Sequence, residues 1–333
     1  MSAILLLLYD VLFVLVLGVV VVPICFRSRA TAAVLKRNFV GYFSNPTGYV
    51  FLCLFVLLTS FAAFWPHEFF NANMANLDQL NKYLPYIMLI FIPAITMSIW
   101  AEERRQGTDE LLLTLPADDF DIVVGKYLAA AAIFTASLLF SQVSNFLVLA
   151  SLTLGELDAG LFFSTYIGYW MVGMAMLSVG MVASFLTSNL TVGFILGAAF
   201  NAPLVFVSRA DVIIPSPFVA RMVSSWSLGA QFDDCGRGVL SISSVVYFAA
   251  LIVAGLYLSM VLIGSRHWSG GQQGTVMLGH YFARTLSLLA IAFGINFVFS
   301  NNDWLSSKRH DMTEGKVSSL SGDTKRLIRN LKA

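Results

Sequence analysis

Charge is scarce in this sequence. Lysine and arginine number 20, aspartate and glutamate 19, and together they make up 12% of the 333 residues. Soluble domains carry roughly 25%. Half that supply cannot cover the surface of a globule this size, so a soluble protein is excluded. Cysteine is nearly absent. Cys25, Cys53 and Cys235 are odd in number, far apart and without CxxC spacing, which argues against a disulfide scaffold and against a zinc module. The histidines His67, His267, His280 and His310 are scattered over loops, so no metal site is expected. His67–Glu68 lacks the second histidine of H-E-x-x-H, and G-x-S-x-G does not occur, so no enzyme chemistry of those kinds is expected. Net charge is only +1, with residues 301–333 balancing to +3 and the rest to −2. A short tail at +3 falls far below what nucleic-acid binding needs, since affinity there rests on many phosphate contacts.

What the chain has in abundance is apolar sequence: 58% of residues are hydrophobic and the mean hydropathy is +0.78. A membrane-crossing helix takes about 20 predominantly apolar residues. By that measure eight spans are expected, near 3–25, 49–65, 84–100, 122–154, 161–186, 191–208, 244–264 and 285–300. The fold class is therefore an all-α integral membrane protein. The first span is no signal peptide, because it lacks a basic start, its apolar run is too long and no A-x-A-like site follows. Lysine and arginine in short loops set orientation. Arg27, Arg29, Lys36, Arg37, Arg104, Arg105, Lys126, Arg266 and Arg284 fall on one side, against Lys82, Arg209, Arg221 and Arg237 on the other. The first set is the cytoplasmic one, which leaves both termini outside. Lys308, Arg309 and Lys316 then break the rule, as basic residues of a long translocated segment do.

Between the spans the chain changes character. Ala32, Leu35, Phe39 and Phe43 recur at three- and four-residue intervals within 29–45, with Lys36 and Arg37 off the stripe, which predicts a helix lying in the interface. The stretch 209–243 is long and mixed in polarity, with Pro215, Pro217, Trp226 and an Asp233–Asp234–Cys235–Gly236 turn signal; short helices at the outer surface are expected. Within the spans, Asp10 is the carboxylate set well inside an apolar run, seven residues in, where a helix–helix contact or snorkelling keeps its cost down. Gly193, Gly197 and Asn201 share one face of the sixth span at small-xxx-small spacing, suited to packing or to lining a conduit. Ser137, Ser141 and Asn145 form a similar polar face on the fourth.

The most informative stretch is IWAEERRQGTDELLLTLPADDFDIVVGK, residues 99–126. Trp100 anchors a span end at the interface, and Glu102, Glu103, Arg104 and Arg105 bring charge into water. Gly107 breaks the helix, and Thr108 is placed to cap a new one whose first turn carries Asp109 and Glu110 against the helix dipole. Leu111, Leu112, Leu113 and Leu115 make this short helix apolar until Pro116 ends it. Asp118, Asp119 and Asp121 precede the next span, where Gly125–Lys126 sits at the interface and Lys126 is free to snorkel. Leucines displayed between charges on the cytoplasmic side fit either a docking helix or one dipping into the membrane.

This stretch resembles the loop between the second and third core helices of type-2 ABC exporter permeases, most closely the gliding-motility (Gld-type) branch. Gly107, Thr108, Glu110, Leu111, Leu112, Pro116, Gly125 and Lys126 fill that pattern position by position. A second match covers 231–248, where Phe232, Arg237, Gly238, Val239, Tyr247 and Phe248 resemble the family's outer segment, and Arg266 and Trp268 resemble its basic–Trp ending. The tail at 311–333 resembles the opening of the auxiliary protein that accompanies such permeases, through Asp311, Thr313, Glu314, Leu320, Ser321, Thr324 and Lys325.

The resemblance implies an extra N-terminal span (1–28), an interfacial helix (29–48), a six-helix permease core (49–268), an eighth span (285–300) and the start of an extracytoplasmic auxiliary domain (301–333). It implies a permease half of the inner (plasma) membrane, working as a homodimer or with a second half, and driven by a cytoplasmic ABC ATPase subunit that grips the 108–115 helix. ATP and magnesium would belong to that partner. Ser269–Gln273 copies the ATPase signature SGGQ, yet no G-x-x-x-x-G-K-[ST] run accompanies it, Gly125–Lys126 being followed by Tyr127 and Gly315–Lys316 by Val317. The competing reading is a non-transporting scaffold that anchors an outer motility or secretion assembly. An ion-coupled transporter fits poorly, because such proteins cluster charged or polar groups near the midplane.

Overall fold

The computed structural model describes residues 2–65, 69, 76–109, 112, 117–153, 157–209, 214–216, 224, 226–264, 279–281, 283–291, 294 and 309–316. These are almost wholly helical. In chain order they form α1 (Ser2–Arg27), α2 (Arg29–Ser44), α3 (Pro46–Ala63), α4 (Asp78–Gln106), α5 (Asp119–Leu152), α6 (Ala159–Phe185), α7 (Leu190–Phe206), α8 (Leu228–Gly236) and α9 (Ile242–Gly264), with two short strands, β1 (Val239–Ser241) and β2 (Arg309–Asp311). The helices α1, α4, α5, α6, α7 and α9 are each long and apolar enough to cross a membrane, and α2 with α3 adds a pair bent by 77°. The expected spans thus recur from the first to the seventh. Of the eighth, residues 285–291 and 294 are helical, and the rest lies outside the described residues.

Local chemistry sets most helix starts. Ser28, Asp158, Asn189 and Ser227 occupy N-cap positions, and their side-chain oxygens accept from the N–H of Thr31, Leu161, Thr191 and Ala230, satisfying donors that a helix leaves open. Asp119 and Asp121 load the first turn of α5 with negative charge, where the dipole favours it. α4 runs a turn or more beyond the apolar stretch at each end, because polar residues continue its helical pattern into water.

The core is built around α6, which is buried along almost its whole length. It packs between α4, α7 and α9, with α5 and α1 on its remaining side. Lipid offers no hydrophobic drive between helices, so contact depends on close fit and on polar links. Small residues supply the fit: Gly173 lies under the Phe134 ring, Gly180 against Thr96 and Gly255 against Ser178. Polar side chains supply the links. Thr59 and Ser141 hydroxyls meet at 2.7 Å, Ser60 donates to Asn145 Oδ1 at 2.7 Å, and Asn145 Nδ2 donates to the Tyr166 hydroxyl at 2.8 Å. One buried network thereby joins α3, α5 and α6, and it includes two of the three residues on the α5 polar face. Asp10 makes a helix–helix contact, accepting from Gln142 Nε2 at 2.8 Å. With Tyr9 stacked on Phe163 and Phe13 edge-on to Trp170, this contact seats α1, whose other faces are largely exposed.

Two expectations are refined and one feature is new. In α2 the residues turned inward are Thr31 and Val34, one position off the Ala32/Leu35 stripe, because Thr31 bonds Asp121 and Val34 abuts Gly125 of α5. The helix thus packs on α5 along this edge, while Phe39 and Phe43 of the stripe also border the core. Asp233–Gly236 forms the last turn of α8 rather than a loop turn. The short ladder of β1 with β2 has no counterpart in the sequence reading.

Candidate functional site

The ends of α4 and α6 and the starts of α5 and α7 share one side of the bundle, together with α2. Here the loop of interest begins. Trp100 is fully buried near the end of α4, edge-on to Phe185 at 5.3 Å. The Ser184 hydroxyl accepts from the N–H groups of Trp100 and Ala101 and donates to the Met97 carbonyl, so α6 grips the last turns of α4 through a single side chain.

Lys126 decides the geometry. It does not snorkel: its side chain is 1% exposed. Its ammonium donates to the Ile99 carbonyl at 2.6 Å and to Glu103 Oε2 at 2.5 Å, and it sits 4.1 Å from the centre of the Trp100 ring. The other oxygen of Glu103 accepts from Arg37 of α2. A single carboxylate thus ties α2, α4 and α5 together. A buried ammonium is tolerated only when paired and hydrogen-bonded, and Ile99, Trp100 and Glu103 all lie on α4. Arg104 is likewise drawn back from water. It lies over the Phe185 ring at 4.7 Å, donates to the Phe185 carbonyl and approaches Asp109 at 4.0 Å. Glu102 and Arg105 pair on the exposed face at 3.1 Å.

Beyond Gln106 the chain reverses. Gly107 adopts φ +68°, a left-handed conformation that suits glycine, and its N–H reaches the Arg104 carbonyl. Thr108 then donates its N–H to the Glu103 carbonyl and accepts from Leu112 N–H at 3.1 Å, opening a new helical turn. Asp109 and Leu112 are both buried. Asp109 meets Arg104 rather than only complementing a helix dipole. Glu110, Leu111 and Pro116, with 113–115, lie outside the described residues. Gly125 faces Thr31 and Val34 of α2, where a Cβ would stand 3.0 Å from the Thr31 carbonyl. Between α2, α4 and α5 a crevice of about 390 Å³ opens, polar at Arg37, Asn38 and Glu102 and apolar at Phe51, Ala94 and Ile133.

The remaining predicted residues lie elsewhere. Gly193, Gly197 and Asn201 are all buried on one face of α7, which packs against α4. A Cβ on Gly197 would meet Pro93 at 3.1 Å, and Gly193 faces Met97. This face serves packing within the chain. On the opposite side of the bundle, Phe232 stacks on Tyr169 with centroids 5.2 Å apart, Arg237 pairs with Asp233 at 2.8 Å, and Gly238 has φ +84°. Phe232 and Arg237 border a pocket of about 610 Å³ that also draws on Asp78, Asn81 and Lys82. Arg266, Trp268 and the 269–273 run fall outside the described residues.

Sequence reasoning found Glu103 and Lys126 but not their partnership, and it missed Arg37 and Ser184 as members of the same site. Arg37 carried a faint signal, lying off the apolar stripe of its helix. Ser184 carried none, since a small polar residue inside an apolar span has many uses. Among comparisons with known proteins, the family described as ABC-2 family transporter protein matches residues 4–209. The curated proteins yield no match.

Proposed function

We propose, from the premise that this chain belongs to the ABC-2 family of transporter proteins, that the Gly107 loop is where a separate ABC ATPase subunit docks and drives it. The chain is a multi-pass membrane permease subunit of an ABC transporter, and it is not itself the catalytic component. In our reading the side bearing Gly107 is cytoplasmic, as its excess of lysine and arginine implies, and the membrane is the inner (plasma) one. The helix opened by Thr108 and carrying Glu110, Leu111 and Leu112 up to Pro116 is the contact surface. ATP and magnesium reside on the partner.

The observation that carries the reading is the node of Arg37, Glu103 and Lys126. A loop hung on one helix could move without consequence. This loop starts four residues from a carboxylate bonded to two other helices, and its first turn is tied back through Asp109 and Arg104. Displacing it must tilt α2, α4 and α5 as a group. A partner that binds one arrangement more tightly shifts the population toward it. Export, the Gld-type branch, pairing of two permease halves and an auxiliary role for the tail rest on the sequence resemblance and belong to the same proposal.

The test is capture of an ABC ATPase by the tagged chain in mild detergent. The wild type retains one, while Glu110→Lys loses it yet still inserts and elutes as a folded species. If the wild type binds no ABC ATPase, the scaffold reading replaces this one. If Glu110→Lys binds as well as the wild type, the loop is not the contact.

A further inference from the structure

The tail returns to the bundle on the side opposite Gly107. β2 runs antiparallel to β1, with Asp311 opposite Val239 and Arg309 opposite Ser241, and Met312 N–H extends the ladder by donating to the Gly238 carbonyl at 2.9 Å. Asp311 Oδ1 accepts from the N–H of Thr313 at 3.0 Å and from its hydroxyl at 2.6 Å, an Asx turn that bends the chain toward α6. There Glu314 pairs reciprocally with the helix start. Its carboxylate accepts from Ala159 N–H at 3.3 Å, and its own N–H donates to Asp158 Oδ2 at 3.1 Å. The second Asp158 oxygen caps α6 through Leu161 N–H at 2.9 Å. Arg309 adds a longer contact to Asp234 at 3.9 Å.

The groove is cut to this segment. A Cβ on Gly160 would stand 1.8 Å from the Met312 carbonyl oxygen, and one on Gly238 would stand 2.4 Å from Thr313 Cγ2. Neither approach is available to a residue with a side chain. Thr313 is buried. Backbone pairing supplies attachment while fitted side chains supply selectivity, as in strand addition to an exposed edge.

We propose that β1, Gly238 and the start of α6 form a strand-addition site for an extended strand that ends in an Asp-x-Thr-Glu turn, filled in cis by residues 309–314. Its occupation fixes the tail on the membrane side opposite Gly107. β1 leads directly into α9, which carries the chain across to Gly264. Arg309, paired with β1, is back on the starting side. The chain between Gly264 and Arg309 therefore crosses the membrane once more. The clasp is a fixed anchor rather than a gate. The elements it joins, α6, α8 and α9, already pack on one another, with Gly255 against Ser178 in mid-bundle and Gly168 against Phe232 and Cys235 near the clasp.

The experiment uses the full chain in intact cells, with Cys25 and Cys53 replaced by serine and cysteines introduced as Leu240→Cys and His310→Cys. These two positions are register partners, within disulfide reach. Mild oxidation is expected to consume both thiols and leave a monomer-sized band. Adding Asp311→Ala with Glu314→Ala, changes confined to the tail, is expected to lower the yield several-fold. No disulfide, or no effect of the tail changes, overturns the proposal. A dimer-sized band overturns filling in cis, because the tail then belongs to a second copy. For sidedness, Arg105→Cys and His310→Cys are labelled singly with an impermeant maleimide before and after permeabilisation. Opposite accessibility is expected, and the same accessibility refutes the extra crossing. This comparison sets one side against the other, so its outcome is independent of whether an ATPase docks at Gly107.

Discussion

Replacing Glu103 should cost this protein more than replacing its partner Lys126, although they form one ion pair. Glu103→Gln leaves an ammonium that is 1% exposed without a counter-charge, and removing one partner of a buried pair costs about 3–5 kcal/mol. The glutamine amide still offers Lys126 an acceptor, so the low end applies, about 3 kcal/mol, or more than a hundredfold in the folded-to-unfolded ratio. Lys126→Met leaves a different remainder. Glu103 keeps Arg37, its side chain is 12% exposed, and Arg37 is open to solvent. Methionine fills most of the lysine stem's volume and keeps contact with the Trp100 ring. The loss is about 1–2 kcal/mol, from the cation–π and charged hydrogen-bond contributions. In the double variant no unpaired charge is buried, so its loss should fall below the sum of the single losses by at least ~1.5 kcal/mol. Unfolding of the four proteins in one detergent, by heat or by denaturant, measures this cycle. Single losses that add within ~0.5 kcal/mol would refute the reasoning, since additivity marks residues that do not interact. So would a Lys126→Met variant less stable than Glu103→Gln.

Two further outcomes are expected. Asn145→Leu removes the residue bonded to Ser60, Tyr166 and Ser141 and should cost about 1–3 kcal/mol, because Ser60 and Tyr166 are left with only longer contacts, to Ser144 and Ser141. Gln142→Leu, which releases only Asp10, should cost nearer the ~0.6 kcal/mol average for hydrogen bonds between membrane helices; thermal unfolding in one detergent ranks the two. Cys235 is wholly buried in α8, and burial, with the Asp234 carboxylate beside it, pushes its thiol up to about 12. With Cys25 and Cys53 replaced by serine, the native protein should stay unlabelled by a water-soluble maleimide from pH 6 to pH 9 and label once denatured; a mass shift in the native protein would show that α8 opens.

Hydropathy and local chemistry were enough to place the long apolar helices and the break at Gly107. Each depends on a few adjacent residues or on the free energy of moving a run of side chains out of water, which is additive along the chain. The sequence also singled out Glu103, Lys126 and the polar face through Ser141 and Asn145, because charged and polar groups are conspicuous against an apolar background. What it left open was partnership. Nothing near Lys126 reveals whether its ammonium reaches solvent or turns inward; that was decided by where α4 and α2 come to rest, which brings Glu103 within 2.5 Å. The face of α2 turned to protein was settled in the same way, by Asp121 and Gly125, some ninety residues further along the chain. Gly160 reads as an ordinary glycine and Gly238 as one position of a matched segment until the tail, more than seventy residues beyond Gly238, is laid between them. Interactions of this kind rest on distances of a few ångströms between segments far apart in sequence, and only the folded chain sets those distances.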